Sequence, residues 1–115
     1  MSTATIDRAT FDALKETTGA EFAHELVDTF LQEAPSMQDD LRQALVAQDA
    51  DRFRRAAHSL KSNANIFGAL TLGALARDLE ITPVTSLTSD GAQRLDELAA
   101  EYARVATALA ALRHD

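Results

Sequence analysis

The chain of 115 residues contains no cysteine and no tryptophan, and only two prolines and four glycines. Without cysteine it can form no disulfide and no thiolate metal site, so a packed core has to stabilise it. A chain of this length can bury enough surface for that, and we expect one domain over residues 1–115. The lack of cysteine is also compatible with a reducing compartment, and we expect the protein in the cytoplasm.

Long hydrophobic runs are missing as well. No stretch of about eighteen apolar residues occurs, and the N-terminal MSTATIDRAT has no basic segment followed by an apolar run. The sequence therefore predicts neither a membrane span nor a signal peptide. The formal net charge of -7 argues against general nucleic-acid binding, because phosphate backbones are bound mainly by clustered lysine and arginine.

Alanine and leucine are abundant, and apolar residues recur every three or four positions, which predicts an all-α fold. Capping residues, glycines and prolines suggest where the helices begin and end. The expected helices are a short first one from about Asp7 to Thr17 that stops at Gly19, a second from Ala20 that kinks at Pro35, a third capped by Asp49 or Asp51 that ends near Gly68, a fourth over about Ala69 to Ile81, and a last one capped by Ser89 or Asp90.

Each long helix should bury one apolar stripe. The predicted stripes are Phe22, Leu26, Phe30, Ala34, Met37, Leu41 and Leu45 on the second helix; Phe53, Ala57, Leu60, Ala64 and Phe67 on the third; Leu72, Leu75 and Leu79 on the fourth; and Leu95, Leu98, Tyr102, Val105, Leu109 and Leu112 on the last. Four such helices with short connections are buried most economically as an antiparallel four-helix bundle, with the short extra N-terminal helix capping one end.

The stretch AAHSLKSNANIFGA, residues 56–69, places a histidine beside basic and small polar residues. Beside the apolar stripe of the third helix, a second stripe holds Arg54, His58, Lys61, Ser62 and Asn65. His58 should therefore project from the flank of the bundle, with Lys61 and Ser62 one turn along. Because residues 52–61 contain four basic residues and no acidic one, we expect a positive patch that suits an anionic ligand or partner.

The sequence has little of what a self-sufficient phosphoryl-transfer enzyme needs. It shows no acidic cluster for Mg²⁺ beside His58, no glycine-rich phosphate loop and no nucleotide-binding motif. His24, in EFAH, matches the Glu-x-x-His pattern of di-iron bundles, but no second copy follows, so we expect no metal site and no cofactor. His114 stands at the C-terminal end and is assigned no role.

The stretch AHSLKSNANIFGA resembles the signature of histidine-containing phosphotransfer (HPt) domains. In that signature a histidine is followed by a leucine two residues on, a lysine three on and a glycine ten on, and His58, Leu60, Lys61 and Gly68 all match. The similarity extends through FLQEAP at residues 30–35 and GALTLGALARDLE at residues 68–80, and so over nearly the whole chain.

The resemblance implies a phosphorelay intermediate of two-component signalling, a phosphocarrier rather than an autonomous enzyme. His58 would accept a phosphoryl group from a phospho-aspartate of one receiver domain and pass it to the aspartate of another. Lys61 would support the charge of the phosphoryl group. The partners would be receiver domains of response regulators or of a hybrid histidine kinase, which would also supply Mg²⁺, and we expect the carrier itself to be a monomer.

Other polar residues near His58 are candidates for contact with a partner or support of the site. These are Arg54, Arg55, Ser62 and Asn65, and Ser62 stands where many HPt domains have glycine. Gly68 is expected to be structural, ending the third helix and letting the next one pack closely. An alternative is a helical adaptor that docks to receiver domains without transferring phosphate. A kinase dimerisation helix pair is less compatible, because AHSLKS lacks an acidic residue after the histidine and a nearby proline.

Overall fold

A computed structural model describes residues 5–112 of the chain, and His114 lies outside that range. The described residues form five α-helices and no strand, which confirms the predicted all-α bundle with a short extra N-terminal helix. The helices are α1 (Arg8–Thr18), α2 (Ala20–Ala47), α3 (Ala50–Ile66), α4 (Leu70–Ile81) and α5 (Gly91–Leu112).

Local sequence signals set most helix ends. The Asp7 carboxylate accepts a hydrogen bond from the backbone N–H of Thr10 at 3.1 Å and caps α1. Asp49, rather than Asp51, caps α3 through the N–H of Arg52, also at 3.1 Å. Each cap satisfies a backbone donor that the first helical turn leaves unpaired. The side-chain cap expected from Ser89 or Asp90 at the start of α5 stays a prediction.

The core is built from one face of each long helix. On α3 all five predicted core residues are buried, and on α5 the buried row follows the predicted stripe, with Tyr102 partly buried. On α2 the expectation for Phe22 is wrong, because its side chain is 51% exposed. The buried row of α2 runs instead through Ala23 and Val27 to Phe30. Phe22 directly precedes Ala23, and consecutive residues of a helix are turned by about 100°, so Phe22 lies outside this row.

The connection between α4 and α5, residues 82–90, contributes to the core. It contains a 3₁₀ turn, Val84–Leu87, whose two end residues are 3% and 2% exposed. The turn therefore closes the end of the bundle between α4 and α5 with apolar side chains as well as connecting the two helices.

Pro35 lies inside α2, and the helix continues through it, as the uninterrupted stripe predicted. Proline has no N–H, so the carbonyl of Leu31, four residues earlier, loses its helical donor. The hydroxyl of Tyr102 on α5 approaches that carbonyl at 3.5 Å, and burial raises the pKa of this phenol. The hydroxyl of Tyr102 on α5 thus takes the place of the backbone N–H that Pro35 lacks on α2. The kink expected at Pro35 stays a prediction.

Gly68, between α3 and α4, has a φ of +84°, a conformation that other residues adopt only with strain. Its carbonyl accepts a hydrogen bond of 2.8 Å from the N–H of Asp7, and a Cβ atom here would lie 2.6 Å from the Asp7 carbonyl oxygen. The segment that packs closely against Gly68 is therefore the start of α1. The prediction that Gly68 lets α4 pack closely is wrong.

We expect Gly68→Ala to lower the free energy of unfolding by about 1–3 kcal/mol more than Gly19→Ala, because it adds a steric overlap to the backbone strain. Gly19 is a suitable control, since its φ is also positive, at +91°, but a Cβ there would meet nothing within 4 Å. Urea denaturation followed by circular dichroism measures both losses. Equal losses would mean that the contact with Asp7 contributes nothing.

The contribution of the contact between Tyr102 and Leu31 to stability should depend on Pro35. We expect Tyr102→Phe to cost about 0.5–1.5 kcal/mol of unfolding free energy in the natural sequence, because it leaves the Leu31 carbonyl without a donor. In a Pro35→Ala background the restored backbone N–H can serve that carbonyl, so the cost should shrink. A double-mutant cycle of chemical denaturation measures this coupling, and a cost that is the same in both backgrounds argues against it.

Candidate functional site

His58 lies in the middle of α3 on the face turned away from the core. Its side chain is 58% exposed, whereas Ala57 and Leu60 on the same helix are fully buried. The helical periodicity of the apolar residues produces this arrangement, because it rotates position 58 out of the buried row. The ring is therefore accessible to a reacting group from outside the bundle.

A carboxylate on the neighbouring helix joins the two main candidate residues. Oε2 of Glu80, in the last turn of α4, lies 2.7 Å from Nδ1 of His58. Oε1 of the same carboxylate lies 2.7 Å from Nζ of Lys61. The Glu80 and Lys61 side chains are largely covered, at 17% and 25% exposure. We call these three residues the His58–Glu80–Lys61 cluster.

The cluster determines which ring nitrogen is available. The hydrogen bond from Lys61, and after it the one from His58, lowers the pKa of the Glu80 carboxyl. Glu80 is therefore ionised at neutral pH and can only accept hydrogen bonds, so Nδ1 of His58 must be the donor. In the neutral imidazole this leaves Nε2 with its lone pair on the side of the ring away from Glu80.

The charges around His58 differ from the sequence expectation of a positive patch. Arg52 pairs with Asp40 of α2 at 2.7 Å, Arg54 pairs with Asp51 at 2.8 Å, and Lys61 pairs with Glu80. Two of these three carboxylates come from other helices, so inspection of residues 52–61 alone could not reveal them. The patch is therefore largely neutralised, and its excess of positive charge is smaller than residues 52–61 alone indicate.

An open groove runs past the histidine. It is lined by Arg54, Arg55, His58, Ser59 and Glu80. The structure thus places the two candidate arginines beside His58.

Two other candidates lie further along α3. Ser62 is exposed on the next turn, while the amide of Asn65 lies against Gly73 of α4. Their contribution to partner contact stays a prediction.

Glu80 is the residue that the sequence analysis missed. It is far from His58 in the chain, and as the last residue of the stretch GALTLGALARDLE it carried no predicted role. A signal did exist, because α3 and α4 pack side by side after a tight turn and both His58 and Glu80 stand eleven residues from Ala69. Residues at equal distances from the turn of a helical hairpin lie opposite each other, so a carboxylate at position 80 could have been placed beside the histidine.

Among the residues that the structure describes, neither a metal site nor a membrane span is found. There, no group of three or more histidine, cysteine or acidic residues could hold a metal ion. Nε2 of His24 is buried without a hydrogen-bond partner among these residues. Within residues 5–112, no helix combines the length and the apolar character that crossing a bilayer requires.

Comparisons with known proteins show what the chain as a whole is similar to. The family model described as "Hpt domain" matches residues 25–115. The sensor protein TorS of Escherichia coli (strain K12) is 34% identical over 68 residues, which cover 59% of this chain but only 7% of that protein. The crystal structure of histidine-containing phosphotransfer protein B (HptB) from Pseudomonas aeruginosa PAO1 superposes with a TM-score of 0.87 at 25% identity, covering 98% of this chain and 97% of that one.

We expect the pKa of Glu80 to lie below the ordinary glutamate value and to rise in Lys61→Met more than in His58→Gln, because Lys61 is the larger cause of its lowering. Carbon-13 NMR of the side-chain carboxyl across an acid titration measures this pKa. Lys15→Met, which changes the chain's other lysine, is the matched control and should leave the titration unchanged.

The lowered pKa of Glu80 also predicts how the stability of the fold changes with pH. A carboxyl whose pKa is lower in the folded state adds stability above its unfolded-state pKa and loses that contribution as the pH falls through the folded-state value. Glu80→Gln should therefore flatten the loss of stability on acidification. An acid profile identical to that of the natural sequence would contradict the pairing.

Proposed function

The chain belongs to the Hpt domain family, and we propose that His58 is the residue on which it carries a phosphoryl group. As an Hpt domain it is a phosphorelay intermediate in two-component signalling. The observation that supports His58 is its exposed ring, whose Nδ1 is bonded to Glu80 while Nε2 remains on the accessible side. A neutral imidazole held in this tautomer is suited to nucleophilic attack through Nε2.

The bonds made and broken in the proposed transfer involve only the histidine and an acyl phosphate. The Nε2 lone pair attacks the phosphorus of a phospho-aspartate, and a P–N bond forms as the P–O bond to the aspartate breaks. The aspartate carboxylate leaves, and the ring gains positive charge while Nδ1 keeps its proton. In the reverse direction an aspartate carboxylate attacks the phosphorus and the neutral imidazole leaves.

Glu80 and Lys61 support this chemistry from the covered side of the ring. Glu80 accepts the Nδ1 proton in a hydrogen bond and so stabilises the charge that develops on the imidazole, as carboxylates do beside nucleophile-activating histidines. A bare carboxylate would also repel an incoming phosphoryl group. Lys61 offsets that repulsion, because its ammonium is paired with Glu80. The support of the phosphoryl charge predicted for Lys61 stays a prediction.

The proposed partners are receiver domains of response regulators or of a hybrid histidine kinase, acting on a monomeric carrier in the cytoplasm. We assign the aspartate and Mg²⁺ of the reaction to the receiver. The donor chemistry beside His58 supports this assignment, because the Glu80 carboxylate is already engaged by Lys61 and Mg²⁺ prefers several oxygen ligands. The carrier is accordingly proposed to hold no cofactor and to catalyse nothing without its partner.

The acceptor assignment is tested by incubating the protein with a receiver domain carrying radioactive phosphate. We expect label that is acid-labile and alkali-stable, lost in His58→Gln and retained in His24→Gln, because His24 lies on α2 outside the cluster. Gel autoradiography after acid or alkali treatment measures it. Label that persists in His58→Gln would refute the assignment, and binding to the receiver without any label would favour the adaptor alternative.

A further inference from the structure

A phosphoryl group on Nε2 of His58 would lie on the side of the ring opposite Glu80. Building on the proposed function of His58, we propose that Arg55 is the side chain that binds the phosphoryl oxygens directly. Lys61 then acts through Glu80 and does not contact the phosphoryl group.

The direction of the ring separates the phosphoryl group from Lys61. Nδ1 points at Glu80 on α4, and Nζ of Lys61 lies 2.7 Å from the other oxygen of the same carboxylate. The two nitrogens of an imidazole direct their outward bonds to nearly opposite sides of the ring. A group bonded to Nε2 is therefore carried away from α4 and from the Lys61 ammonium.

The lean of helical side chains brings His58 towards the arginines. A side chain on an α-helix lies over the turn that precedes its own Cα atom. The ring of His58 therefore lies over the turn that holds Arg54 and Arg55, and both residues line the same groove as the ring. Arg55 is three residues before His58, a spacing at which helical side chains are neighbours.

The two arginines differ in how firmly they are already bound. Nη2 of Arg54 lies 2.8 Å from Oδ1 of Asp51. Arg55 contacts the same residue through Nε alone, 3.6 Å from Oδ2 and 3.4 Å from the backbone oxygen. In the described part of the chain no partner is found for the terminal nitrogens of Arg55, and its side chain is 71% exposed. These terminal N–H groups form the fork that binds phosphate oxygens in pairs.

The local charge balance points to the same residue. Arg52, Arg54 and Lys61 are each matched by a carboxylate within 2.8 Å, from Asp40, Asp51 and Glu80. Arg55 is left sharing Asp51 at longer range. Such exposed, long pairs contribute little, so an anion carrying close to two negative charges can draw the guanidinium away from Asp51.

The test uses the full chain phosphorylated chemically with phosphoramidate, or with a phosphorylated receiver where phosphoramidate does not react. Phosphorus-31 NMR then gives the ring nitrogen that is modified and, across a pH titration, the pKa of the phosphoryl group. We expect Arg55→Gln to raise this pKa by about 0.5–1 unit, because a directly bound cation favours the dianion. Arg54→Gln is the matched control, because it also removes one positive charge and one arginine that pairs with Asp51. It should shift the pKa of the phosphoryl group by less than half as much.

The outcomes separate this inference from the proposed function. Two results would overturn the assignment of Arg55 and leave His58 as the acceptor. One is an equal shift of the phosphoryl pKa in the two arginine variants, and the other is a phosphoryl group on Nδ1. A larger shift in Lys61→Met than in Arg55→Gln also overturns it. If His58 is phosphorylated by neither donor, the proposed function itself fails. Helical circular dichroism of each variant confirms that the bundle is intact.

Discussion

The carboxylate of Glu80 is the contact on which the geometry of the site depends. It joins a histidine and a lysine of one helix to the end of another through two contacts of 2.7 Å. An imidazole on an exposed helix face would otherwise be free to rotate and to exchange its proton between two nitrogens. Glu80 removes both freedoms, because an ionised carboxylate accepts a hydrogen bond from one nitrogen only.

The packing of the bundle brings Glu80 to that position. α3 and α4 are joined by a tight connection at Gly68, whose carbonyl is also bonded to the start of α1. The buried residues of the two helices, among them Leu60, Ala64, Leu72 and Ala76, fix how the helices lie against each other. A change in that register would move Glu80 along α3 by ångströms, and a hydrogen bond does not tolerate such a shift. The apolar core and the short connection therefore determine the chemistry of an exposed residue.

The electrostatics of the site are those of a nearly balanced surface on an acidic protein. The chain carries a formal net charge of -7, yet the basic residues around His58 are paired with carboxylates from three different parts of the chain. Balanced pairing limits non-specific attraction of anions and leaves only a loosely held cation beside the ring. A site of this kind suits a carrier that must receive and release the same group, since a strongly positive pocket would retain it.

The sequence alone determined the all-α bundle, the positions of α1 to α4 to within about two residues, the burial of one face of α3 and the exposure of His58. These features follow from local rules, namely capping, glycine and the 3.6-residue period, which act between residues close in the chain. The tertiary structure decided the rest. It turned Phe22 outward, placed the 3₁₀ turn in the core and brought the Tyr102 hydroxyl to the Leu31 carbonyl. It also set Glu80 beside His58 and largely neutralised the patch of basic residues. Each of these depends on contacts between residues distant in the chain, whose partners are chosen only when the helices pack together.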